Sequence, residues 1–333
     1  MVFLQLFVML IVILIAAEVF TNALEHLGEK FGISEGVTGS IFAAVGTALP
    51  ETMVPLLALL AGTKSISTNE EIGVGSILGA PLMLSTLSIS LMAISVLRHR
   101  GMRGHLRPER TGLRRDLNFF IISFSFAAGA MYVPHNLAIV RYGIGSSMVI
   151  IYFVYVMMTI NASKALVEAG HMTEASGDMF LTKIGFPNNM LSIILQLILG
   201  LSLLIAGAKG FINGVENAAH LIGISTLLLS LLLIPIATEL PEKVNSILWV
   251  RKGKDTMAFG NITGAMVFQG TLLPAIGIML TPWEPRKEVV LGIVLTLIST
   301  LWLRYLVEKG EIRVWNLLVN GSIYVMYLIF VLN

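Results

Sequence analysis

A motif that joins a threonine, a proline and a glutamate occurs twice in the chain. The copies read Thr-Ala-Leu-Pro-Glu and Thr-Glu-Leu-Pro-Glu, and each follows a Gly-Ile-Ser start at the same distance, within Gly32–Glu51 and Gly223–Glu242. Both copies place a proline and a carboxylate in the middle of an apolar stretch. Because a membrane interior tolerates such residues only where they serve a polar cavity, the repeat indicates an ion site made of two similar halves.

The proline of each copy cannot donate a backbone hydrogen bond, so it frees a carbonyl about one turn earlier. The threonine hydroxyl adds a second oxygen there, and the glutamate that follows the proline adds negative charge. Hard cations such as Ca²⁺ take several oxygen ligands. The motif therefore predicts a cation site formed by Thr47, Glu51, Thr238 and Glu242. The simpler alternative is a proline kink in each helix, with a glutamate bonded to neighbouring helices.

A glycine-containing segment follows each motif, at Gly75–Ala80 and at Gly260–Ala265. Glycines four residues apart let helices approach closely. One interpretation is packing alone. The other is that these helices pack against the two motifs and complete the cation site, with Ser76 and Asn261 supplying oxygens.

The second motif also carries an acid and a base that the first lacks. Glu239 and Lys243 lie four residues apart, with the acid first, which is the favourable order for an ion pair on a helix. Either Lys243 neutralises Glu239, or Glu239 joins Glu51 and Glu242 as a ligand or a proton carrier. If all four groups are ionised their charge is −2, which suits one divalent cation.

The elements that position these residues are predicted to be membrane helices. The chain has 333 residues, of which 56% are hydrophobic and 13% are charged, and its mean hydropathy is +0.85. Soluble domains carry about 25% charged residues, so the composition predicts a polytopic membrane protein. The absence of cysteine excludes disulfides, thiolate metal sites and cysteine nucleophiles.

About 20 apolar residues span a bilayer. With this length as the criterion, the sequence predicts an all-α polytopic membrane protein with ten transmembrane helices. Their predicted ranges are 2–27, 34–62, 72–98, 117–133, 138–163, 187–214, 225–250, 256–280, 288–306 and 314–332.

The distribution of Lys and Arg predicts the orientation of these spans. The loops after the odd-numbered spans hold 16 of the 22 Lys and Arg, including seven arginines within 98–116. Basic loops stay in the cytoplasm, so we expect both termini outside and a multi-pass protein of the plasma membrane. Binding of anionic lipid headgroups is a second interpretation of the 98–116 loop.

The repeat divides the chain into two halves of five spans each. We expect an N-terminal repeat over 1–164, a cytoplasmic linker over 165–185 and a C-terminal repeat over 186–333. An odd number of spans per half means that the second copy enters the membrane from the opposite side, so the two repeats are predicted to be inverted.

With two Thr-x-Leu-Pro-Glu motifs, each followed by a glycine-rich helix, the chain resembles the sodium/calcium exchangers of the cation/calcium antiporter superfamily, as a divergent prokaryotic-type member. The resemblance covers both halves. It implies that Glu51 and Glu242 bind Ca²⁺, that Thr47 and Thr238 contribute oxygens, and that Na⁺ and Ca²⁺ compete for overlapping sites during alternating access.

The chain departs from the family pattern at several ligand positions. The serine of Gly-Thr-Ser-x-Pro-Glu is Ala48 in one copy and Glu239 in the other, and the Asn or Asp of the following helix is Leu84 or Gln269. Pro81 is expected to add a break in the third span. Since the missing oxygens serve Na⁺ sites in the family more than the central Ca²⁺ site, we expect altered coupling to Na⁺.

These observations predict a secondary antiporter that exchanges Ca²⁺, or a similar divalent cation, for Na⁺ or H⁺. The alternative is a cation channel or a non-transporting membrane sensor on the same fold. No nucleotide-binding motif or hydrolase pattern is present, so no enzymatic activity is expected. The expected partners are the lipid bilayer and the transported cations, with no cofactor and no nucleic acid.

Overall fold

The computed structural model of the chain describes residues 2–32, 52, 55, 66–134, 136–168, 177–222, 231–232, 235–236 and 239–332. The described part is helical, apart from one isolated bridge between His105 and Arg313. The helices are α1 (Val2–Phe31), α2 (Ile66–Met83), a π-helix (Leu84–Ser88), α3 (Ile89–Arg100), α4 (Arg110–Ala130), α5 (Ala138–Glu168), α6 (Phe180–Lys183), α7 (Met190–Ile222), α8 (Leu240–Arg251), α9 (Asp255–Leu280), α10 (Lys287–Lys309) and α11 (Val314–Leu332).

Six helical segments of the described residues are long and apolar enough to cross a membrane. They are Gly73–Arg100, Ala138–Ala162, Met190–Gly207, Asp255–Leu280, Lys287–Lys309 and Val314–Val331. This number of spans confirms the prediction of an all-helical, multi-pass membrane protein. The predicted second span, 34–62, lies outside the described residues except for two positions.

The basic loop between α3 and α4 is shorter than predicted, because α4 begins at Arg110 and not near 117. The carboxylate of Glu109 caps that helix by accepting hydrogen bonds from the backbone N–H groups of Thr111 and Gly112, each at 2.6 Å. A capped helix start favours helix over loop even in a basic turn. Three of the seven arginines therefore lie in the first two turns of α4.

The predicted break at Pro81 was wrong. The third predicted span stays helical through Pro81 and then widens into the π-helix. The side chains of Ser85 and Thr86 bond back to the carbonyl of Leu82. The carbonyl of Ser85 accepts hydrogen bonds from Ser299 on α10, at 2.6 Å, and from Asn320 on α11, at 2.8 Å. The wider turn thus replaces lost helical bonds with bonds to neighbouring helices.

The helices of the described part pack in two groups that meet at α8. One group is α1 with α7, which run along each other, and α1 reaches α8 where Trp249 donates to Glu25. In the other group α9 lies at the centre, against α2, α4, α5 and α8. Almost every residue of α9 is buried, including its polar ones. A polar residue on α9 therefore faces protein and not lipid.

Candidate cation site

The candidate site is built on the first turn of α8. This helix begins at Leu240, with Pro241 in its first turn, where a missing N–H costs no hydrogen bond. Glu239 is the residue before the helix, and Glu242 follows in the first turn. The local sequence thus places two acids at a helix start.

Both carboxylates and one lysine are buried there. Glu239 and Glu242 are completely shielded from solvent, and Lys243 is 5% exposed. The Lys243 ammonium lies 3.1 Å from the Glu239 carboxylate, so the ion pair that was one of the two sequence interpretations is present. Buried charges persist only when they are paired or coordinated. The second acid, Glu242, lies three residues after Glu239, in the first turn of α8.

Asn261 on α9 connects that helix to the start of α8. Its amide nitrogen donates to the backbone carbonyl of Glu242 at 3.1 Å and to the hydroxyl of Ser246 at 2.9 Å. The side chain is completely buried, and its oxygen accepts no hydrogen bond from the described residues. Since the nitrogen is engaged, the oxygen of the amide remains available as a ligand. This contact joins two of the residues that the sequence assigned to the site.

Gln269 lies further along α9 and is also buried. Neither atom of its amide has a hydrogen-bond partner among the described residues. It follows Asn261 by two helical turns, about 12 Å. Because α8 and α9 are joined by a short turn and run antiparallel, Gln269 lies past Glu239, towards the residues before α8. The structure records no bond between Gln269 and the glutamates.

The glycine-containing part of α2 packs against the residues that precede α8. A β-carbon added at Gly79 would fall on the backbone carbonyl of Leu231 and on the ring of Pro235. Only glycine allows the two backbones to come this close. Ser76 lies one turn earlier on α2 and is buried. Close packing of this segment is therefore present at Gly79, against the second motif, and the role of Ser76 as a ligand stays a prediction.

Three of the predicted ligands, Thr47, Glu51 and Thr238, lie outside the described residues. Within the described ranges, no group of three or more His, Asp or Glu side chains is arranged to hold a metal ion. The full set of predicted ligands needs Glu51 from the first motif. The described residues therefore form mainly the half of the predicted site that comes from the second motif.

Two polar residues near the site were missed by the sequence interpretation. Asn245 is completely buried on α8, and its amide has no hydrogen-bond partner among the described residues. Tyr324 on α11 is buried in the same apolar cluster as Met83, whose sulfur contacts Lys243. The spacing of Asn245, three residues after Glu242, was a usable signal, because such residues share a helix face. For Tyr324 the sequence holds no local signal.

The chain matches the sequence model of one protein family. The model of the sodium/calcium exchanger protein family matches residues 1–161 and 192–333. The chain belongs to the sodium/calcium exchanger family. Its members are secondary transporters and not enzymes, which confirms that expectation. The unmatched residues between the two segments include the predicted linker, 165–185.

Three relatives of this exchanger-family chain come from bacteria and an archaeon. The chain is 26% identical to the inner membrane protein YrbG of Escherichia coli (strain K12) over 84% of this chain and 80% of that protein. It is 24% identical to the putative antiporter CaxA of Alkalimonas amylolytica over 82% and 79%. It is 22% identical to the uncharacterized membrane protein MJ0091 of Methanocaldococcus jannaschii over 95% and 93%.

Solved structures show the same fold. The sodium-calcium exchanger NCX_Mj soaked with Na⁺ and Sr²⁺ matches with a TM-score of 0.72 and 19% identity, over 98% of this chain and 99% of that one. The same exchanger soaked with Na⁺ and Ca²⁺ matches with a TM-score of 0.70 and 19% identity, over 96% and 95%. The chain thus has the fold of NCX_Mj over nearly its whole length.

Proposed function

We propose that this protein is a secondary antiporter that exchanges Ca²⁺, or a similar divalent cation, for Na⁺ or H⁺ by alternating access. The observation that carries the proposal is the pair of completely buried carboxylates at the start of α8, Glu239 and Glu242, in a chain of the exchanger family. Buried acids at mid-membrane are costly unless a cation or a base compensates them. Lys243 pairs with Glu239, and we assign Glu242 to the transported cation.

In this proposal each residue of the site has a distinct role. Glu51 and Glu242 supply the two negative charges, and Thr47 and Thr238 supply neutral oxygens. Asn261 adds its amide oxygen and holds the carbonyl of Glu242. Ser76 and Gln269 add further oxygens from α2 and α9. Several oxygens with two carboxylates form the ligand set that Ca²⁺ prefers.

The proposed architecture has ten spans in two inverted repeats, 1–164 and 186–333, joined by a cytoplasmic linker over 165–185. The protein spans the plasma membrane, and both of its termini lie on the external side. Support for this comes from the duplicated motif and from the excess of Lys and Arg in the odd-numbered loops. A cysteine-accessibility scan tests it, since the chain has no native cysteine. Cysteines placed at position 101 and at position 333 should be labelled from opposite sides of the membrane.

Counterflow of ⁴⁵Ca²⁺ in proteoliposomes tests exchange directly. Unlabelled Ca²⁺ on the trans side should accelerate uptake of ⁴⁵Ca²⁺, because an exchanger returns fastest when it is loaded. Flux that follows the gradient without such stimulation would identify a channel, and absence of flux with retained Ca²⁺ binding would identify a sensor.

The coupling ion is tested in the same vesicles. Uptake of ⁴⁵Ca²⁺ is measured first with an imposed Na⁺ gradient at equal pH, and then with an imposed pH gradient in the absence of Na⁺. A response to the pH gradient alone would remove Na⁺ from the proposal, and a response to the Na⁺ gradient alone would remove H⁺.

A further inference from the structure

The ammonium group of Lys243 is held by ligands from two parts of the fold. It lies 3.1 Å from the carboxylate of Glu239, 3.3 Å from the backbone carbonyl of Pro235 and 3.0 Å from the sulfur of Met83. Met83 is the last residue of α2, and the other two ligands precede α8. Lys243 is 5% exposed and Met83 is completely buried. The positive charge therefore sits inside the protein, between the helices that follow the two motifs.

Two of the three groups around the ammonium are oxygen groups that also bind monovalent cations. A carboxylate supplies one negative charge, and the carbonyl of Pro235 supplies a neutral oxygen. The same carbonyl accepts the backbone N–H of Glu239 at 3.1 Å, so it is fixed in place. The thioether of Met83 is a weak acceptor, and it is a poor partner for an ammonium compared with a second oxygen. The surroundings of Lys243 therefore balance its charge, through Glu239, but offer it few strong hydrogen bonds.

Stability alone is a weak reason for a buried pair of this kind. Replacing a buried ion pair with apolar residues of similar volume is often neutral or stabilising, because both charges must be removed from water. The pair lies one turn from Glu242, beside the proposed divalent-cation site. A fixed positive charge at that position repels a second cation and balances the charge of Glu239.

We propose that the Lys243 ammonium is a tethered cation that occupies a position where a free monovalent cation, of the Na⁺ class, would otherwise bind. The inference rests on the proposed exchange of cations at the neighbouring site. It extends that proposal by assigning Glu239 to the tethered charge and not to the transported ion. The protein then needs no free Na⁺ at this position, and Lys243→Met opens the position to Na⁺.

The test is the thermal unfolding midpoint of purified protein in NaCl, compared with choline chloride at equal ionic strength. Lys243→Met should gain a Na⁺-specific stabilisation beyond that of the wild type, of about 3 °C when Na⁺ is ten times its dissociation constant. The double variant Glu239→Gln/Lys243→Met lacks the carboxylate and should lose this gain. Lys252→Met, at an exposed position after α8, controls for removal of a lysine and should respond to Na⁺ as the wild type does.

An unchanged Na⁺ response in Lys243→Met would overturn the proposal. If Lys243→Met is unstable, Lys243→Gln is measured in the same way, and either variant should fold better with Na⁺ than with choline. Failure of both to fold at any Na⁺ concentration, with the double variant folded, would also overturn it. These results are independent of transport. Loss of wild-type counterflow would refute the exchange function, whereas the missing Na⁺ response would refute only the tethered cation.

Discussion

Replacing Asn261 with alanine tests whether this side chain contributes to cation binding or serves packing alone. The side chain is completely buried and donates two hydrogen bonds, to the carbonyl of Glu242 and to the hydroxyl of Ser246. Each such bond contributes about 1 kcal/mol net, so the substitution should lower the free energy of unfolding by about 2 kcal/mol. This part of the effect is the same for either role.

The matched control is Ser246→Ala, which removes one of the two hydrogen bonds and leaves the Asn261 oxygen in place. It should cost about 1 kcal/mol of stability and change Ca²⁺ affinity only slightly. Loss of a group that ligates a metal or supports its ligands typically weakens binding by about 10-fold to 100-fold. Asn261→Ala should therefore bind Ca²⁺ at least about ten times more weakly than Ser246→Ala.

The assay is equilibrium binding of ⁴⁵Ca²⁺ to the purified variants, with the thermal unfolding midpoint measured on the same samples. Equal Ca²⁺ affinities in the two variants, together with the larger loss of stability in Asn261→Ala, would refute the assignment of Asn261 as a ligand. The residue would then serve packing alone.

Two further predictions concern contacts around the site and at the end of α3. Gly79→Ala should lower the free energy of unfolding by about 1–3 kcal/mol, because the new methyl group would overlap backbone atoms. Gly129→Ala, with nothing within 4 Å of the added carbon, should be neutral or slightly stabilising when the thermal unfolding midpoint is measured. Asp255→Asn breaks the bidentate pair with Arg100, at 2.7 and 2.8 Å, and should cost about 1–3 kcal/mol. Glu308→Gln removes two ion pairs of an exposed carboxylate, with Arg114 and Arg304, and should leave the midpoint nearly unchanged. Equal effects of Asp255→Asn and Glu308→Gln would contradict the role assigned to burial.

The positions of the helices were predictable because one physical requirement dominates them. A bilayer needs about 20 apolar residues per span, and the predicted ranges 256–280 and 314–332 agree closely with α9 and α11. The start of α4 was not predictable by that rule, since it depends on the cap formed by Glu109. Because its first turns contain basic residues, a search for long apolar segments does not detect the start of this helix.

The outcome at Pro81 shows a limit of local reasoning. A proline inside a helix removes one hydrogen bond and predicts a break. The helix continues through Pro81, and Ser299 and Asn320, far away in the sequence, stabilise the π-helix that follows by donating to the Ser85 carbonyl. Such compensation depends on the packing of α10 and α11, which no local pattern encodes.

The candidate site was predictable only where its contacts are local in the sequence. The pairing of Glu239 with Lys243 follows from a spacing of four residues on one helix, and the structure shows it. The contact between Lys243 and Met83 joins residues in different halves of the chain. It follows from the close approach of α2 at Gly79, so it required the three-dimensional packing.

The most direct test of the central claim is equilibrium binding of ⁴⁵Ca²⁺ to the purified wild type, to Glu51→Gln, to Glu242→Gln and to the double variant. The amide keeps the size of each side chain and removes one charge of the proposed ligand pair. The account predicts saturable binding by the wild type, strong weakening in each single variant and no binding by the double variant. Ca²⁺ binding retained by the double variant would contradict it.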